Sequence, residues 1–450
     1  MSRLCRCAAS LKGYLPVIGG FTIMTVFFTL LLTLFAQRPE KLLRILPGSV
    51  ADHFNRTDKA ADTRPFEEFE CLGDEITSNG YRRGFRFHVY DVPMELYQPV
   101  LDRNPPYLDP NDGESHHSAE VYIWKYLKLH PCHTSKRSEA DAFVVPVLGI
   151  GSNMWGPSDH SDKVFKWVAQ QPEAEIFKGH DHYALGEGAL ANLRSLMPNI
   201  NYITPEIWSL PVGLTGTDER LLDGEVFRRE RNSIIISYPD PRFANMGEAE
   251  VKEHISNHDK LAVWIGTIPA NAAAIRQAVL DQMADRNARH NDTLAVLMTE
   301  RRKISDVPAV NDRGVFGPST AGDIRTARRS FSLLMGGTIP VMICDLCILP
   351  YEDFVDWESV AIFIPESKIF EPGYNFVDEL AKIPQSRIKE MQEAMLRVRR
   401  HFIWHDGPSQ PGDAMDMMVR QLARDAVALR RFKRFAVDAF ARRQHKPAPM

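Results

Sequence analysis

The sequence predicts an α/β protein, two facing Rossmann-like domains behind an N-terminal transmembrane helix. Three observations carry that expectation. Short apolar runs alternate with helical periodicities along most of the chain, which implies parallel sheets. The alternation falls into two series, which implies two such domains with a ligand in the cleft between them. Val17–Ala36 is a run of 20 residues without one charge. At 1.5 Å per residue such a run spans about 30 Å, the hydrocarbon thickness of a bilayer.

Composition bounds the alternatives. The chain has 450 residues, 44% hydrophobic and 25% charged, which excludes wholesale disorder and collagen-like repeats. At about 150 residues per domain, two to three units are expected. Lys+Arg number 54 against 58 Asp+Glu, a net charge of -4. That balance speaks against nucleic acid as a partner, which usually demands a basic surplus or stripe.

Taken in order, residues 1–16 read as a cytoplasmic tail and 17–36 as a signal-anchor. A cleavable signal peptide has a shorter apolar core of about 7–15 residues and small residues at the cut; Leu34-Phe35-Ala36 is a poor cut site. Basic residues flank the span on both sides (Arg3, Arg6 and Lys12; Arg38, Lys41 and Arg44), so the positive-inside rule is nearly balanced. The short tail and large remainder favour a type II arrangement. The sequons Asn55-Arg56-Thr57 and Asn291-Asp292-Thr293 point the same way. Residues 37–80 are polar and hold Pro39, Pro47 and Pro65, as a stem would.

A first domain is expected over 81–228 and a second over 229–400. In the first, Phe85–Tyr90, Ala142–Leu148 and Asn201–Ile203 read as strands, with helices over His117–His130 and Glu187–Met197. In the second, strands are expected at Ser233–Tyr238, Leu261–Ile265, Leu294–Met298, Ile339–Ile343 and Val360–Ile364. Helices are expected there at Asn271–Arg286, Ile324–Met335 and Arg387–His401. The tail, 401–450, is helical and basic over Ala414–Arg442; the sequence leaves open whether it packs back across the domains or lies on a surface.

Four cysteines follow the stem region's start. Cys71 and Cys132 are candidates for a disulfide that sequence alone does not assign. Cys344-Asp345-Leu346-Cys347 has the spacing of a redox or zinc pair. No second such pair exists and no helix start follows, which favours a structural reading. Cys5 and Cys7 sit before the span, where acylated and free thiols are equally plausible.

The stretch Gly314–Pro365 carries the most chemistry. It reads as a turn of small and hydroxyl residues, Ser319 and Thr320 among them, then a helix, then a buried strand. Such a turn offers N–H groups and hydroxyls to a phosphate. Arg325 and Arg329 are four apart and share a helix face, so both guanidiniums could grip a diphosphate. A nucleoside triphosphatase loop fails, because Asp323 stands where its lysine must be. On spacing alone, a phosphate site and a capped loop with solvated arginines stand even.

This stretch resembles the nucleotide-binding segment of the exostosin glycosyltransferases, glycosyltransferase family 47 (GT47). The matching residues are Phe316, Gly322, Arg329, Gly337-Thr338-Ile339-Pro340-Val341, Leu349-Pro350-Tyr351-Glu352 and Asp356-Trp357. Upstream, Ser138–Pro146, Gly179-His180-Asp181-His182-Tyr183 and Trp264-Ile265-Gly266 through Arg276 resemble further pieces in the right order. The resemblance covers roughly residues 84–385. It implies a GT-B type fold and a single-pass type II protein of the Golgi membrane. It also implies inverting transfer from a nucleotide-diphosphate sugar to a glycan acceptor. Gly322 would approach the donor phosphates, and Arg276 and Arg329 would stabilise the leaving diphosphate.

One departure stands out. The acidic residue that the family places three after the arginine, to hold the donor ribose, is here Ser332. A glutamate restored there is expected to tighten donor binding. No Asp-x-Asp occurs in the chain, so transfer without a metal or other cofactor is expected. The general base that deprotonates the acceptor is sought among Asp181, His182 and Glu120. Two readings of other classes stay beside the enzyme. One is a catalytically inactive scaffold or partner of an active glycosyltransferase, in a homo- or hetero-oligomer, which Ser332 motivates. The other is a membrane-anchored carbohydrate-binding protein.

Overall fold

The computed structural model describes residues 71–426 except 72–74, 77–81, 105–107, 109–117, 150–155, 177–178, 186–199, 205–232, 245, 267, 269–272, 291–293, 299–312, 322–326, 346 and 348. Val17–Ala36, both sequons, Cys5, Cys7, the expected helix at Glu187–Met197, and Gly322 and Arg325 lie outside the described residues. Among the described residues no helix is long and apolar enough to cross a membrane.

Two five-stranded parallel sheets organise the chain. The first comprises β1 (Phe87–Val89), β2 (Ala142–Val145), β3 (His182–Leu185), β4 (Asn201–Thr204) and β5 (Ser233–Ile235), in that spatial order. All four pairings are parallel, with Val89 opposite Val144, Val144 opposite Tyr183, Leu185 opposite Ile203, and Ile203 opposite Ile234. Successive residues of β2 enter opposite layers, as the period of two requires. Phe143 and Val145 join Tyr97 and Val100 of α1 (Met94–Leu101) and Val164, Phe165 and Val168 of α3 (His160–Ala169). Ala142 and Val144 join Tyr122 and Ile123 of α2 (Ala119–Tyr126). Burial on both faces is why β2 reads as an unbroken apolar run.

Two strands differ from the sequence expectation. Ser233–Ile235, which the alternation assigns to the second series, completes the first sheet beside β4. His182–Leu185 is a strand that the expected series does not contain. Its neighbours β2 and β4 supply parallel partners 39 and 18 residues away in sequence, at Phe143 opposite His182 and Tyr183 opposite Asn201. No local signal contains those partners.

The second sheet comprises β6 (Lys260–Gly266), β7 (Ala295–Met298), β8 (Gly314–Thr320), β9 (Ile339–Ile343) and β10 (Ile362–Phe363). Its spatial order is β10-β9-β8-β6-β7, all parallel. The small and hydroxyl residues of 314–320, expected as a turn, are the central strand of this sheet. Smallness serves packing here. A Cβ on Gly317 would lie 2.5 Å from Leu333 Cδ2, and one on Gly314 would lie 2.3 Å from Val263 Cγ2. A helix and a neighbouring strand thus approach too closely for any side chain.

Around this sheet lie α4 (Glu248–Ser256), α5 (Ala273–His290), α6 (Arg328–Gly336) and α7 (Gln385–Val398). Helix α6 stops at Gly337, whose φ of 91° is left-handed. Thr338 N–H then closes on Leu333 O at 3.0 Å, a terminator that favours glycine.

The C-terminal helix, α8 (414–426), answers what the sequence left open. His130, between β1 and β2, bonds Asp416 through Nε2 at 3.2 Å. Tyr351 and Asp353, beyond β9, bond Ala414 O at 2.9 Å and Arg424 at 3.2 Å respectively. One helix therefore ties the chain before β2 to the chain after β9. Both candidate cysteine pairs are disulfides, Cys71–Cys132 and Cys344–Cys347, with Cα atoms 5.4 and 5.6 Å apart.

Candidate active site

The strand order itself marks a crevice. After β6 the chain runs outward to β7; it then returns to pair β8 on the other side of β6 and moves outward through β9 and β10. The winding direction reverses between β6 and β8. In open parallel sheets, the carboxyl ends of the strands at such a reversal diverge and form the ligand crevice. Here those ends are Gly266 and Thr320. The register between the two strands runs only from Gly314 opposite Lys260 to Phe316 opposite Ala262.

Arg329 fills the gap beyond that register. Its Nε donates to Pro318 O at 2.8 Å, Nη1 to Ile265 O at 3.0 Å and Nη2 to Val263 O at 2.8 Å. The guanidinium thus bonds three main-chain carbonyls, two on β6 and one on β8. This differs from the solvated cleft arginine that the sequence suggests. The half-buried side chain is part of the crevice floor. Burial, and then the like charge of Arg276, push its pKa down to about 9, so it is a cation at neutral pH.

Arg276 arrives from the first turn of α5. Its Nε donates to Ala321 O at 3.0 Å and to Thr320 Oγ1 at 3.3 Å. Both guanidiniums lie over the Trp264 indole, Arg276 at 5.8 Å and Arg329 at 5.4 Å from the ring centroid. The ring's negative face offsets part of the repulsion between them. Ser319 and Thr320 close β8 and are buried. Ser319 Oγ meets Ser330 Oγ at 2.7 Å, and Thr320 donates to Ala321 O at 3.1 Å. These hydroxyls bind strand to helix.

Ser332 lies on α6 one turn beyond Arg328. Its hydroxyl donates to Asp240 Oδ2 at 2.7 Å. The carboxylate absent from position 332 is therefore matched by one from the segment after β5. The sequence reading missed Asp240. The available signal was Tyr238-Pro239-Asp240-Pro241-Arg242 directly after a strand, which reads only as a turn.

The structure places the base candidates in the first half. His182 opens β3 with 0% exposure. Its Nδ1 pairs with Asp181 Oδ1 at 2.9 Å and its Nε2 with Tyr90 Oη at 2.8 Å. The ring stacks on Phe143 at 4.9 Å and on Tyr90 at 5.6 Å between centroids. Both nitrogens are engaged and aromatic rings flank the imidazole, so its visible work is to join β1, β2 and β3. Asp181 is buried with it. Glu120 is buried in the first turn of α2. Thus Arg276, Ser319, Thr320 and Arg329 meet at one crevice, Ser332 is a turn along α6, and Asp181 and His182 form a separate buried pair.

Comparison with known proteins agrees with the motif reading. The exostosin GT47 domain matches residues 81–378. The chain belongs to this family, and with it to the glycosyltransferases. It is 22% identical over 395 residues to the probable beta-1,4-xylosyltransferase IRX10L of Arabidopsis thaliana, covering 80% of this chain and 86% of that one. It is 23% identical to the xyloglucan galactosyltransferase MUR3 of Arabidopsis thaliana, over 70% of this chain and 53% of that one. Exostosin-2 of Mus musculus is 25% identical over 134 residues, 26% of this chain and 18% of that one. Among solved structures, the GtfA/B complex aligns at a TM-score of 0.35 and 9% identity, over 68% of this chain and 59% of that one.

Proposed function

We propose that this glycosyltransferase is a GT-B type enzyme that transfers a sugar from a nucleotide-diphosphate donor to a glycan acceptor, with inversion and without a metal. The observation that carries the reading is the paired guanidiniums over Trp264 at the reversal between β6 and β8. Charge develops on the diphosphate as the glycosidic bond breaks. Preorganised cations in a crevice stabilise that charge more in the transition state than in the ground state. Arg276, which approaches from α5, is the direct contact. Arg329, held from behind by three carbonyls, contributes its field and keeps the crevice open. Gly322 and Arg325, which lie between β8 and α6 in the sequence, complete the donor site in this proposal. Ser319, Thr320 and Ser332 shape its wall.

The acceptor's proton must go to a base. Asp181 and Glu120 are carboxylates and His182 an imidazole in the first half, and each is a candidate. The absence of any Asp-x-Asp favours arginines in place of a bridging cation. Two disulfides suit an oxidising lumen. Together with the apolar run at 17–36 they support a type II protein of the Golgi membrane.

The experiment is a donor screen. Full-length protein is incubated with a panel of nucleotide sugars and mixed glycan acceptors, and nucleoside diphosphate release is measured. Release with one donor supports the proposal. Donor binding without release in any pairing favours the inactive-partner reading. No binding of any nucleotide sugar or nucleoside diphosphate rejects both.

A further inference from the structure

Trp264 stands on β6 two residues before the carboxyl end of that strand and is 1% exposed. Residues 264 and 266 share one face of the strand. A Cβ on Gly266 would lie 3.5 Å from the indole Cζ2 and 3.7 Å from Cε2 and Nε1. The edge of the indole that carries its nitrogen therefore lies beside the half-buried end of β6, where the winding reverses. The end of β8 comes to the same place. Arg276, whose guanidinium lies over the ring, bonds Thr320 Oγ1 and Ala321 O there. The ring thus sits at the reversal crevice itself.

Two features tell which part of the indole matters. Nε1 is buried and has no hydrogen-bond partner among the described residues. A ring without that N–H would carry no such desolvation cost. The face, by contrast, lies under two guanidiniums, with Arg276 at 5.8 Å and Arg329 at 5.4 Å from the ring centroid. Both fall within the distance of about 6 Å over which an aromatic face attracts a cation. The two cations repel each other: after burial, the charge of Arg276 is what depresses the Arg329 pKa. Three main-chain carbonyls fix Arg329 in place. Arg276 reaches over from α5, and its Nε bonds fix one edge of its fork. A flat, negative face beneath both groups lets the second cation stand beside the first.

We propose that Trp264 is a positioning residue of the donor site: its indole face holds Arg276 beside the fixed Arg329, so that both cations act on the diphosphate of the donor. This rests on the glycosyl-transfer reading above. The ring works through Arg276 and does not itself touch the ligand. An aromatic face at position 264 is therefore required, and the indole nitrogen is not. An aliphatic side chain leaves the repulsion unrelieved, and Arg276 turns away from Arg329.

The test compares binding of uridine and guanosine diphosphates with binding of the bare nucleosides, on full-length protein. Trp264→Leu is expected to weaken the diphosphate that binds wild type by about tenfold, the scale of a desolvated cation–π contact. Trp264→Phe keeps a face and drops the N–H, and should lose no more than about threefold. Both variants remove volume from the same core, so a purely structural role does not separate them. Nucleoside binding should stay within about twofold of wild type in each, a selectivity that a general loss of structure does not produce. In an Arg276→Gln background, adding Trp264→Leu should weaken the diphosphate by no more than about a further twofold, because the group that the ring positions is gone. Trp264→Met, longer and unbranched, takes the place of Trp264→Leu should the latter fail to fold, with the same losses expected. Near wild-type diphosphate affinity in the aliphatic variant overturns the proposal. So does a phenylalanine variant as weak as the aliphatic one, or a full tenfold loss added on top of Arg276→Gln. A wild-type protein that binds neither diphosphate overturns the glycosyl-transfer reading, and this inference with it.

Discussion

Replacement of Arg329 by alanine should cost stability as well as activity. The guanidinium bonds the carbonyls of Val263, Ile265 and Pro318 where β6 and β8 have already lost their register. A hydrogen bond from a charged donor contributes about 1.5–3 kcal/mol. Arg329 is half-buried, so water entering the emptied crevice re-solvates part of what is lost. Three bonds at the low end give a loss of about 4 kcal/mol. Against a typical stability of about 5–15 kcal/mol this is a large fraction. The assay is urea unfolding of the full-length chain followed by tryptophan fluorescence, which reports on Trp264 beneath the guanidinium. The midpoint should fall by about 1–2 M, given slopes of about 2–3 kcal/mol/M. Arg329→Lys keeps the charge but not the fork and should recover only a minor part. A midpoint within about 0.3 M of wild type, with transfer abolished, would refute the reasoning. Arg329 would then be a ligand clamp and not a staple between strands.

Three further outcomes are expected. Gly317→Ala places a Cβ 2.5 Å from the buried Leu333, so the unfolding midpoint should drop by an amount equivalent to about 1–3 kcal/mol; an unchanged midpoint would mean that α6 shifts freely. Burial pushes the His401 pKa down to about 4, against the hydrogen bond its Nδ1 donates to Gly412 O, which works the other way. The native state thus holds His401 neutral while the unfolded chain protonates near 6.5, so stability is full above that value and falls as pH drops toward 4. The loss reaches about 3 kcal/mol at most, and His401→Gln should flatten the slope of midpoint against pH in that window. The Cys71–Cys132 bridge has a sequence separation of 61, for which loop closure contributes about 4 kcal/mol. Cys71→Ser with Cys132→Ser should therefore lower the melting temperature more than Cys344→Ser with Cys347→Ser, whose separation is 3; the opposite order would count against the chain-entropy account.

Much of the architecture was legible in the chain because burial on both faces leaves a local trace. Ala142–Val145 and Ile339–Ile343 announce themselves as apolar runs between helical periodicities, and α5 and α7 as amphipathic stretches. Gly314–Thr320 did not, because its glycines answer the approach of Val263 and Leu333, which are distant in sequence. The strand at 233–235 was seen but sorted to the wrong sheet, since its partner is set by pairing and not by composition. In the site, Arg276 and Arg329 were legible through their motif spacing. Their shared indole and the three carbonyls that hold Arg329 were not.

The sequence by itself determined the family and the two-series α/β plan, and it singled out Arg276 and Arg329, which lie over one indole. These follow from side-chain type and short-range spacing. The tertiary structure alone decided where the winding of the second sheet reverses and that Arg329 is built into the crevice floor. It also decided that the hydroxyl at 332 admits the Asp240 carboxylate, 92 residues away in sequence. Such contacts depend on which strands pair and which helix faces meet, and neither is written in any local window of residues.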